Sequence, residues 1–259
     1  MAWNETTRTI ICDQSGVDHF LTVATPIRYE ALDAAPLILC LDGAWIAGTV
    51  RDATRIMSMS GEAPEAIVAS LSFTDETMRA YNRSRAIWYC PTPWVPPEIV
   101  GVKDVVADDV GKALIYLAFI REQVLPMLRA ELRVSESWLV GHSFSALFGL
   151  RALFTDPTLF DKYVLASPSI WWDGRVMFDI EAVYAADHND LAARVFMTAG
   201  AEEDALGDMF NMGDNMVEMA ERLASRDYPS LSIAHAILPA ESHSSTIGAA
   251  VSRGLRHLR

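Results

Sequence analysis

The sequence predicts an α/β fold with a mostly parallel central sheet, helices on both of its faces and an antiparallel hairpin at the N-terminus. Short continuous apolar runs recur along the chain, and such runs suit strands that are buried on both faces. From about residue 104 onward, segments with helical spacing of apolar residues separate these runs. Strands and helices that alternate in this way favour a parallel sheet covered on both sides.

The N-terminal half begins with the predicted hairpin, in which the strand-like residues 9–12 and 20–24 flank a polar turn at 13–18. Residues 36–41 and 66–71 are continuous apolar runs, and we predict both as buried strands. Residues 81–100 are rich in proline and aromatic residues, and we predict a long loop there. The prolines of this loop are Pro91, Pro93, Pro96 and Pro97.

The C-terminal half begins with a helical pattern from Asp104 to about Leu132, which Pro126 is expected to bend or divide. Further strands and helices alternate after it. The predicted strands are 138–140, 163–166, 195–198 and 231–238, and the predicted helices are 143–154, 175–186, 208–224 and 244–258.

Length and charge limit the classes to which the chain can belong. Its 259 residues suit one α/β domain spanning residues 1–259, and no apolar run approaches the ~20 residues of a membrane span. The formal charge of −13 argues against nucleic acid and anionic membrane surfaces as partners. The first residues show no signal peptide, and Cys12 and Cys40 are most simply reduced thiols, so a cytoplasmic location is expected. The oligomeric state cannot be deduced from the sequence.

The stretch 138–147 has the form of a nucleophile elbow, in which a strained turn between a strand and a helix exposes a serine. An apolar strand leads into Gly141 and Ser143, and a helix is predicted to begin at the serine. Small flanking residues suit the close approach of the two backbones at such a bend. The motif G-x-S-x-G ends here in Ser145 instead of glycine. The alternative is a chance Gly-x-Ser sequence at a helix start, where serine is a favoured cap.

A serine hydroxyl becomes a strong nucleophile only beside a base that a third group orients. In α/β-hydrolases the chain order is serine, acid, histidine. His243 lies just beyond the last predicted strand, where α/β sheets bind ligands, and we predict it as the base, with His235 as the main alternative. The acid is expected among Glu202, Glu203 and Asp204 after the preceding strand. A solvated acidic helix start is the competing interpretation of these three residues.

Two backbone amides are expected to form an oxyanion hole, which stabilises the negative charge of a tetrahedral intermediate. One is the amide of Phe144, the residue after the predicted nucleophile. The other should come from the loop after the third strand, which begins at Asp42. In that loop the amide of Ala44 is the first choice and that of Trp45 the second.

Six motifs that follow one another along the chain resemble a known family. They are Leu41-Asp42-Gly43, Pro91-Thr92-Pro93, Gly141-His142-Ser143-Phe144, Leu147-Phe148, residues 159–163 and residues 167–172. Together they resemble the putative esterase family of α/β-hydrolases, which is related to the siderophore (enterobactin-type) esterases and more distantly to esterase D. The resemblance runs from about Leu37 to His243 and is most specific from Val140 to Trp172.

The resemblance implies an α/β-hydrolase fold and a serine hydrolase that cleaves a small-molecule ester without a metal or an organic cofactor. It maps the nucleophile to Ser143 and the base to His243. Its acid follows a glycine by three residues, which points to Glu203 among the three candidates.

The resemblance also implies residues that contact the substrate. An arginine precedes the Pro-Thr segment in the family, and Arg85 is the nearest match, with Arg83 as the alternative. A surface charge or a loop-anchoring hydrogen bond is the competing role for this arginine. Trp171 and Trp172 either line the pocket or pack in the core, and Trp45 is expected beside the substrate.

The chain departs from the family pattern in two places. Family elbows usually read Ser-Phe-Gly-Gly, and the extra atoms of Ser145 are expected to narrow the site or tilt the helix. The acidic residue usual before Thr-Pro is also absent. Both departures bear on whether the substrate is a siderophore-like ester, a macrolactone or a small metabolite ester. An acyltransferase with the same triad and a non-catalytic relative are the alternative functions.

Overall fold

A computed structural model of the chain describes residues 3–94, 105–207 and 209–259, with the backbone alone for Asp204 and Leu206. The described residues form a sheet of eight strands in the order β1-β2-β4-β3-β5-β6-β7-β8. The strands are β1 (Trp3–Ile11), β2 (Asp18–Pro26), β3 (Ala35–Cys40), β4 (Ile67–Phe73), β5 (Val134–His142), β6 (Lys162–Ala166), β7 (Ala193–Gly200) and β8 (Leu231–Leu238).

The direction of the strands confirms the predicted sheet. β1 and β2 form the N-terminal antiparallel hairpin, and β2 also pairs antiparallel with β4. From β4 to β8 all neighbouring strands run parallel. The carboxyl ends of β3, β5, β7 and β8 therefore lie along one edge of the sheet, and the loops that follow them carry the candidate site.

Helices cover both faces of the sheet. They are α1 (Gly43–Met59), α2 (Met78–Tyr89), α3 (Ala113–Phe119), α4 (Leu125–Glu131), α5 (Phe144–Leu153), α6 (Trp172–Arg175), α7 (Met177–Asp187), α8 (Met212–Ala224) and α9 (Thr246–Leu258). Successive side chains of a strand point to opposite faces. Trp138 and Val140 of β5 accordingly pack with α1 and α9, whereas Leu139 between them packs with the larger core beneath α2, α3, α5 and α8.

The predicted loop at residues 81–100 is wrong in its first half, because α2 occupies Met78–Tyr89. The side chain of Thr77 caps this helix by accepting a hydrogen bond from the amide of Ala80. Its buried face includes Arg85, and a charged residue among apolar positions hides the helical periodicity. The helix ends at Tyr89, just before the first proline of the segment. Pro96, Pro97 and Val100 lie outside the described residues.

The predicted helix from Asp104 to Leu132 is also shorter than expected. Asp104 lies outside the described residues, and α3 begins only at Ala113, after Gly111 with its positive φ of 82°. A π-helical turn at Ile120–Val124 separates α3 from α4, and Pro126 lies in the first turn of α4. Proline has no amide hydrogen to donate to a carbonyl of the preceding turn, so the α-helix is interrupted on the N-terminal side of Pro126.

The remaining helices differ from their predictions mainly at their starts. α8 begins at Met212 and not at Asp208, which lies outside the described residues, and α9 begins at Thr246. α1 was not predicted; its N-cap residue Asp42 has a left-handed backbone with φ 54°, and the Asp42 side chain makes no capping hydrogen bond. Within the described ranges, no helix is both long and apolar enough to cross a membrane.

Candidate active site

Ser143 occupies the turn between β5 and α5. Its backbone has φ 61° and ψ −117°, which is a strained conformation for a residue with a side chain. The close packing of strand and helix requires glycine at 141, because a Cβ there would lie 2.5 Å from the carbonyl oxygen of Ser145. The amide of Ser143 donates to the carbonyl of Ala166 on the neighbouring strand, at 2.9 Å. The sheet thus holds the strained turn in place.

The hydroxyl of Ser143 faces a second serine that sequence analysis did not select. Ser143 Oγ lies 3.2 Å from Ser169 Oγ, and the amide of Ser169 donates to the carbonyl of Ser143 at 3.3 Å. Ser169 is almost fully buried in the turn after β6. Ser169 belongs to the motif at residues 167–172, but its contact with Ser143 depends on how two neighbouring parallel strands end.

His243 lies in the loop between β8 and α9 and lines the same cleft as Ser143. Its Nδ1 is 2.7 Å from Oε2 of Glu203. A carboxylate only accepts hydrogen bonds, so the proton of the neutral ring is on Nδ1 and the lone pair is on Nε2. His235 is exposed on β8, and among the histidines of the described ranges only His243 hydrogen-bonds Glu203.

Glu203 is the buried member of the acidic triplet. Its Oε1 accepts hydrogen bonds from the hydroxyl of Ser167 at 2.5 Å, the amide of Gly200 at 2.6 Å and Thr246 Oγ1 at 3.3 Å. Burial by itself would raise the pKa of the Glu203 carboxyl, but its hydrogen bonds outweigh burial and lower the pKa. The carboxylate is therefore ionised at neutral pH. Glu202 is exposed, and the side chain of Asp204 lies outside the described part of the chain.

His142 packs against His243 and was not predicted to belong to the site. The two ring centroids are 4.6 Å apart, and His142 Nε2 is 2.7 Å from the carbonyl oxygen of His243. The pKa of His142 is lowered to about 3, mainly by burial and to a smaller extent by the nearby His243. The neutral ring therefore donates its Nε2 hydrogen to that carbonyl. This contact ties the loop that carries His243 to the elbow.

The amides predicted for the oxyanion hole lie at two helix starts. Phe144 is the first residue of α5, and Ala44 is in the first turn of α1, where amides have no acceptor within the helix. The amide of Trp45 instead donates to the carbonyl of Asp42 at 2.8 Å. The second choice for this donor is therefore already engaged, and Ala44 is the amide that stays a candidate.

A buried ion pair lies behind the elbow. Arg85 donates from Nε and Nη2 to the two carboxylate oxygens of Asp42, at 2.8 and 2.9 Å, and Nη2 also donates to the carbonyl of His142 at 3.1 Å. The loop-anchoring role for Arg85 thus has direct contacts, although its side chain also borders the cleft. Arg83 forms an exposed ion pair with Asp109.

Ser145 joins this buried ion pair and does not face the cleft. Its hydroxyl is 2.6 Å from Asp42 Oδ2 and accepts the amide hydrogen of His142 at 2.8 Å. The side chain is fully buried. The expected narrowing of the site by Ser145 is wrong, because its extra atoms point toward the strand end that carries Asp42.

The cleft has two lobes that share Asn82, Arg85, Ser143 and His243. The first has a volume of about 220 Å³ and is otherwise lined by Phe144, Ser169, Trp171, Phe210 and Met212. The second has a volume of about 370 Å³ and is otherwise lined by Trp45, Ile46, His142, Ser244 and Ile247.

The two candidate tryptophans have different surroundings. Trp171 lines the first lobe, where its ring meets that of Phe210 edge-on at a centroid distance of 4.9 Å. Trp172 is fully buried behind it and donates from Nε1 to Thr92 Oγ1 at 3.2 Å. The ring of Trp172 packs edge-on against that of Phe144, with the centroids 5.5 Å apart, and Trp172 is not among the residues that line either lobe.

The chain is similar in sequence and in structure to known esterases. Residues 17–235 match the sequence model of the family described as Putative esterase. A siderophore triacetylfusarinine C esterase of Aspergillus fumigatus is 26% identical over an alignment of 272 positions, gaps included, which covers 93% of this chain and 88% of that protein. The ferri-bacillibactin esterase BesA of Bacillus subtilis is 27% identical over 233 residues, covering 85% and 78%. The solved structure of the siderophore hydrolase EstA from Aspergillus nidulans superposes with a TM-score of 0.84 at 25% identity, covering 98% of this chain and 94% of that one.

Proposed function

Because the chain belongs to the Putative esterase family and is a carboxylic-ester hydrolase with an α/β-hydrolase fold, we propose that it cleaves its ester through an acyl-enzyme formed on Ser143. One observation carries this proposal. Beyond the strained serine, in the same cleft, His243 is held by a 2.7 Å hydrogen bond to the buried carboxylate of Glu203. A nucleophile, a base and an orienting acid are the groups that acyl transfer to serine requires.

In the proposed acylation step, Ser143 Oγ attacks the acyl carbon while His243 Nε2 takes the hydroxyl proton. The carbonyl π electrons move to oxygen and form a tetrahedral oxyanion. The backbone amides of Phe144 and Ala44 are the proposed donors to that oxygen. When the oxyanion collapses, the C–O bond to the alcohol breaks and His243 returns the proton to the leaving alkoxide.

In the proposed deacylation step, water takes the place of the alcohol. His243 removes a proton from the water as the oxygen adds to the acyl carbon and forms a second tetrahedral oxyanion. When this oxyanion collapses, the bond between the acyl carbon and Ser143 Oγ breaks, His243 returns the proton to Oγ, and the carboxylic acid is released. Glu203 stays ionised throughout, because its hydrogen bonds from Gly200 and Ser167 favour the charged form. Its charge stabilises the imidazolium that forms at His243 in both steps.

The lining of the cleft limits the proposed substrate. The relatives compared above are named for siderophore esters, and we propose that this chain takes a siderophore-like, macrolactone or smaller metabolite ester. The first lobe is bordered by Phe144, Trp171 and Phe210, and the guanidinium of Arg85 at its edge is already paired with Asp42. An uncharged group beside the scissile carbonyl therefore suits this lobe better than a carboxylate would.

The proposal is tested with a fluorophosphonate probe and a panel of activated esters. Wild-type protein should hydrolyse a neutral p-nitrophenyl ester and take up one phosphonyl group, which peptide mapping should place on Ser143. The S143A variant should do neither, whereas S232A, at an exposed serine of β8, should behave as wild type. Hydrolysis by S143A at the wild-type rate, or labelling at another residue, would overturn the proposal.

A further inference from the structure

We infer that Ser145, acting with Asp42 and Arg85, is a positioning residue that fixes the two oxyanion-donor amides relative to each other. The inference rests on the proposed function, because it assigns a role to residues behind the same oxyanion hole. Asp42, Arg85 and Ser145 are 0%, 5% and 0% exposed, so solvent cannot replace the contacts among them. None of the three is placed to react with the substrate itself.

The first donor amide depends on the backbone of Asp42. This residue follows β3 in a left-handed conformation with φ 54°. Its carbonyl accepts the amides of Trp45 and Ile46, at 2.8 and 3.1 Å, and so closes the first turn of α1. The amide of Ala44 lies within that turn. Any rotation of the Asp42 peptide therefore rotates the Ala44 amide with it.

The second donor amide is enclosed by Ser145. The amide of His142 donates to Ser145 Oγ at 2.8 Å, so this side-chain contact spans the strained turn at Ser143 and the peptide that carries the Phe144 amide. The carbonyl of that peptide accepts the amides of Leu147 and Ser169, at 2.9 and 3.3 Å, and the Ser145 hydroxyl adds the side-chain contact that ties the peptide to the end of β5.

The Ser145 hydroxyl is held by the carboxylate of Asp42. A hydroxyl has one hydrogen to donate, and its shorter contact is to Asp42 Oδ2 at 2.6 Å, against 2.9 Å to the carbonyl of His142. That carbonyl is already served by Arg85 Nη2 at 3.1 Å, and Arg85 also holds Asp42 through both carboxylate oxygens. The four residues form one closed set of hydrogen bonds that joins the end of β3 to the elbow.

This linkage depends on a side chain that most elbows of this type lack. Glycine, the usual residue at this place in the family, has no hydroxyl to connect the two loops. Charge-assisted hydrogen bonds are the stronger kind, and a misplaced donor loses much of its effect on the transition state. Removal of a whole oxyanion donor slows turnover by ~10²–10³-fold, so loosening two donors without removing either should slow it by about 10- to 100-fold.

The test compares S145A and S145G with S137A. Ser137 is a fully buried serine near the other end of β5, where its hydroxyl accepts from Arg129, and it serves as the matched control. The measurements are kcat and KM on a neutral p-nitrophenyl ester, the melting temperature, and inhibition by a trifluoromethyl ketone with the same acyl group. The ketone adds reversibly to the Ser143 hydroxyl and forms an oxyanion in the proposed hole.

The inference predicts that both Ser145 variants lose about 10- to 100-fold in kcat with KM changed less than about 3-fold, and bind the trifluoromethyl ketone correspondingly more weakly. S137A should keep the wild-type kcat, KM and ketone affinity, while its melting temperature falls because Arg129 loses a buried hydrogen-bond partner. Wild-type kcat in both S145A and S145G would overturn the inference. This holds even if KM rises and the ketone binds more weakly, because the effect would then be on substrate binding and not on the transition state. An inactive wild type whose Ser143 resists the fluorophosphonate would instead overturn the proposed function, so the two failures can be told apart.

Discussion

Replacing Glu203 by glutamine is the change that tests the proposed acid most sharply, because the structure fixes how the new amide must lie. Oε1 of Glu203 accepts from the hydroxyl of Ser167 and the amide of Gly200, at 2.5 and 2.6 Å. The carbonyl oxygen of glutamine must stay there, since an NH₂ group cannot accept from two donors. Its NH₂ group is then directed at His243 Nδ1, where Oε2 of the wild type lies at 2.7 Å.

An amide NH₂ that faces Nδ1 makes that nitrogen the acceptor and moves the ring proton to Nε2. His243 then presents a hydrogen to Ser143 and cannot take the hydroxyl proton. The equivalent acid-to-amide change in a serine protease lowers kcat by ~10⁴, and we expect a loss of ~10³–10⁴ in kcat here. The assay is steady-state hydrolysis of a neutral p-nitrophenyl ester between pH 6 and 9, with the melting temperature measured in parallel.

The matched control is E202Q, at the exposed carboxylate beside Glu203, which should keep wild-type kcat. If E203Q folds normally and retains more than a tenth of wild-type kcat, the assignment of Glu203 as the orienting acid is wrong. A large loss in E202Q together with a small one in E203Q would move the assignment to the neighbouring residue.

Three further outcomes follow from the same geometry. H243A should lose at least ~10³-fold in kcat on an activated ester, whereas H235A, at an exposed position of β8, should change it by less than about 3-fold. Because burial holds the pKa of His142 at about 3 while the unfolded chain protonates it near 6.5, the free energy of unfolding should fall as the pH drops from 6.5 toward 3. In H142Q the free energy of unfolding, measured by urea titration, should fall less steeply over that pH range. The same pH dependence in H142Q and wild type would show that His142 is not its cause. The free energy of unfolding of G141A should be more than about 2 kcal/mol below that of wild type, because the new Cβ would lie 2.5 Å from a backbone oxygen. G48A, whose new Cβ has nothing within 4 Å, should not show this loss.

The strands β3 and β4 were predictable because strands buried on both faces leave continuous apolar runs. β1 was predicted only at residues 9–12 but begins at Trp3, because its mostly exposed residues leave no such run. The runs at β3 and β4 agree with the structure to within two residues at each end. α1 and α2 were not predictable in the same way. Arg85 occupies the buried face of α2 and pairs with Asp42, which lies 43 positions earlier in the chain. A local window contains no sign of that pairing, so the residue looks like part of a polar loop.

The same distinction holds for the candidate site. The serine, the acidic loop and the histidine follow one another in an order that the fold itself imposes, so the order of residues pointed to Ser143, to His243 and to the triplet 202–204. The choice of Glu203 within that triplet came from the family resemblance. The positions of His142 and Ser145 depend on contacts with residues about 100 positions away. The narrowing expected of Ser145 was wrong for this reason, since only the folded chain shows that its hydroxyl points at Asp42.

The claim that Ser143 carries the acyl group is tested most directly by trapping that intermediate. Wild-type protein mixed with excess p-nitrophenyl ester and quenched in acid within milliseconds should show a mass increase equal to one acyl group, and peptide mapping should place it on Ser143. The amplitude of the p-nitrophenol burst should match the acylated fraction. Active protein that gains no acyl mass, or gains it on a residue other than Ser143, would contradict the mechanism.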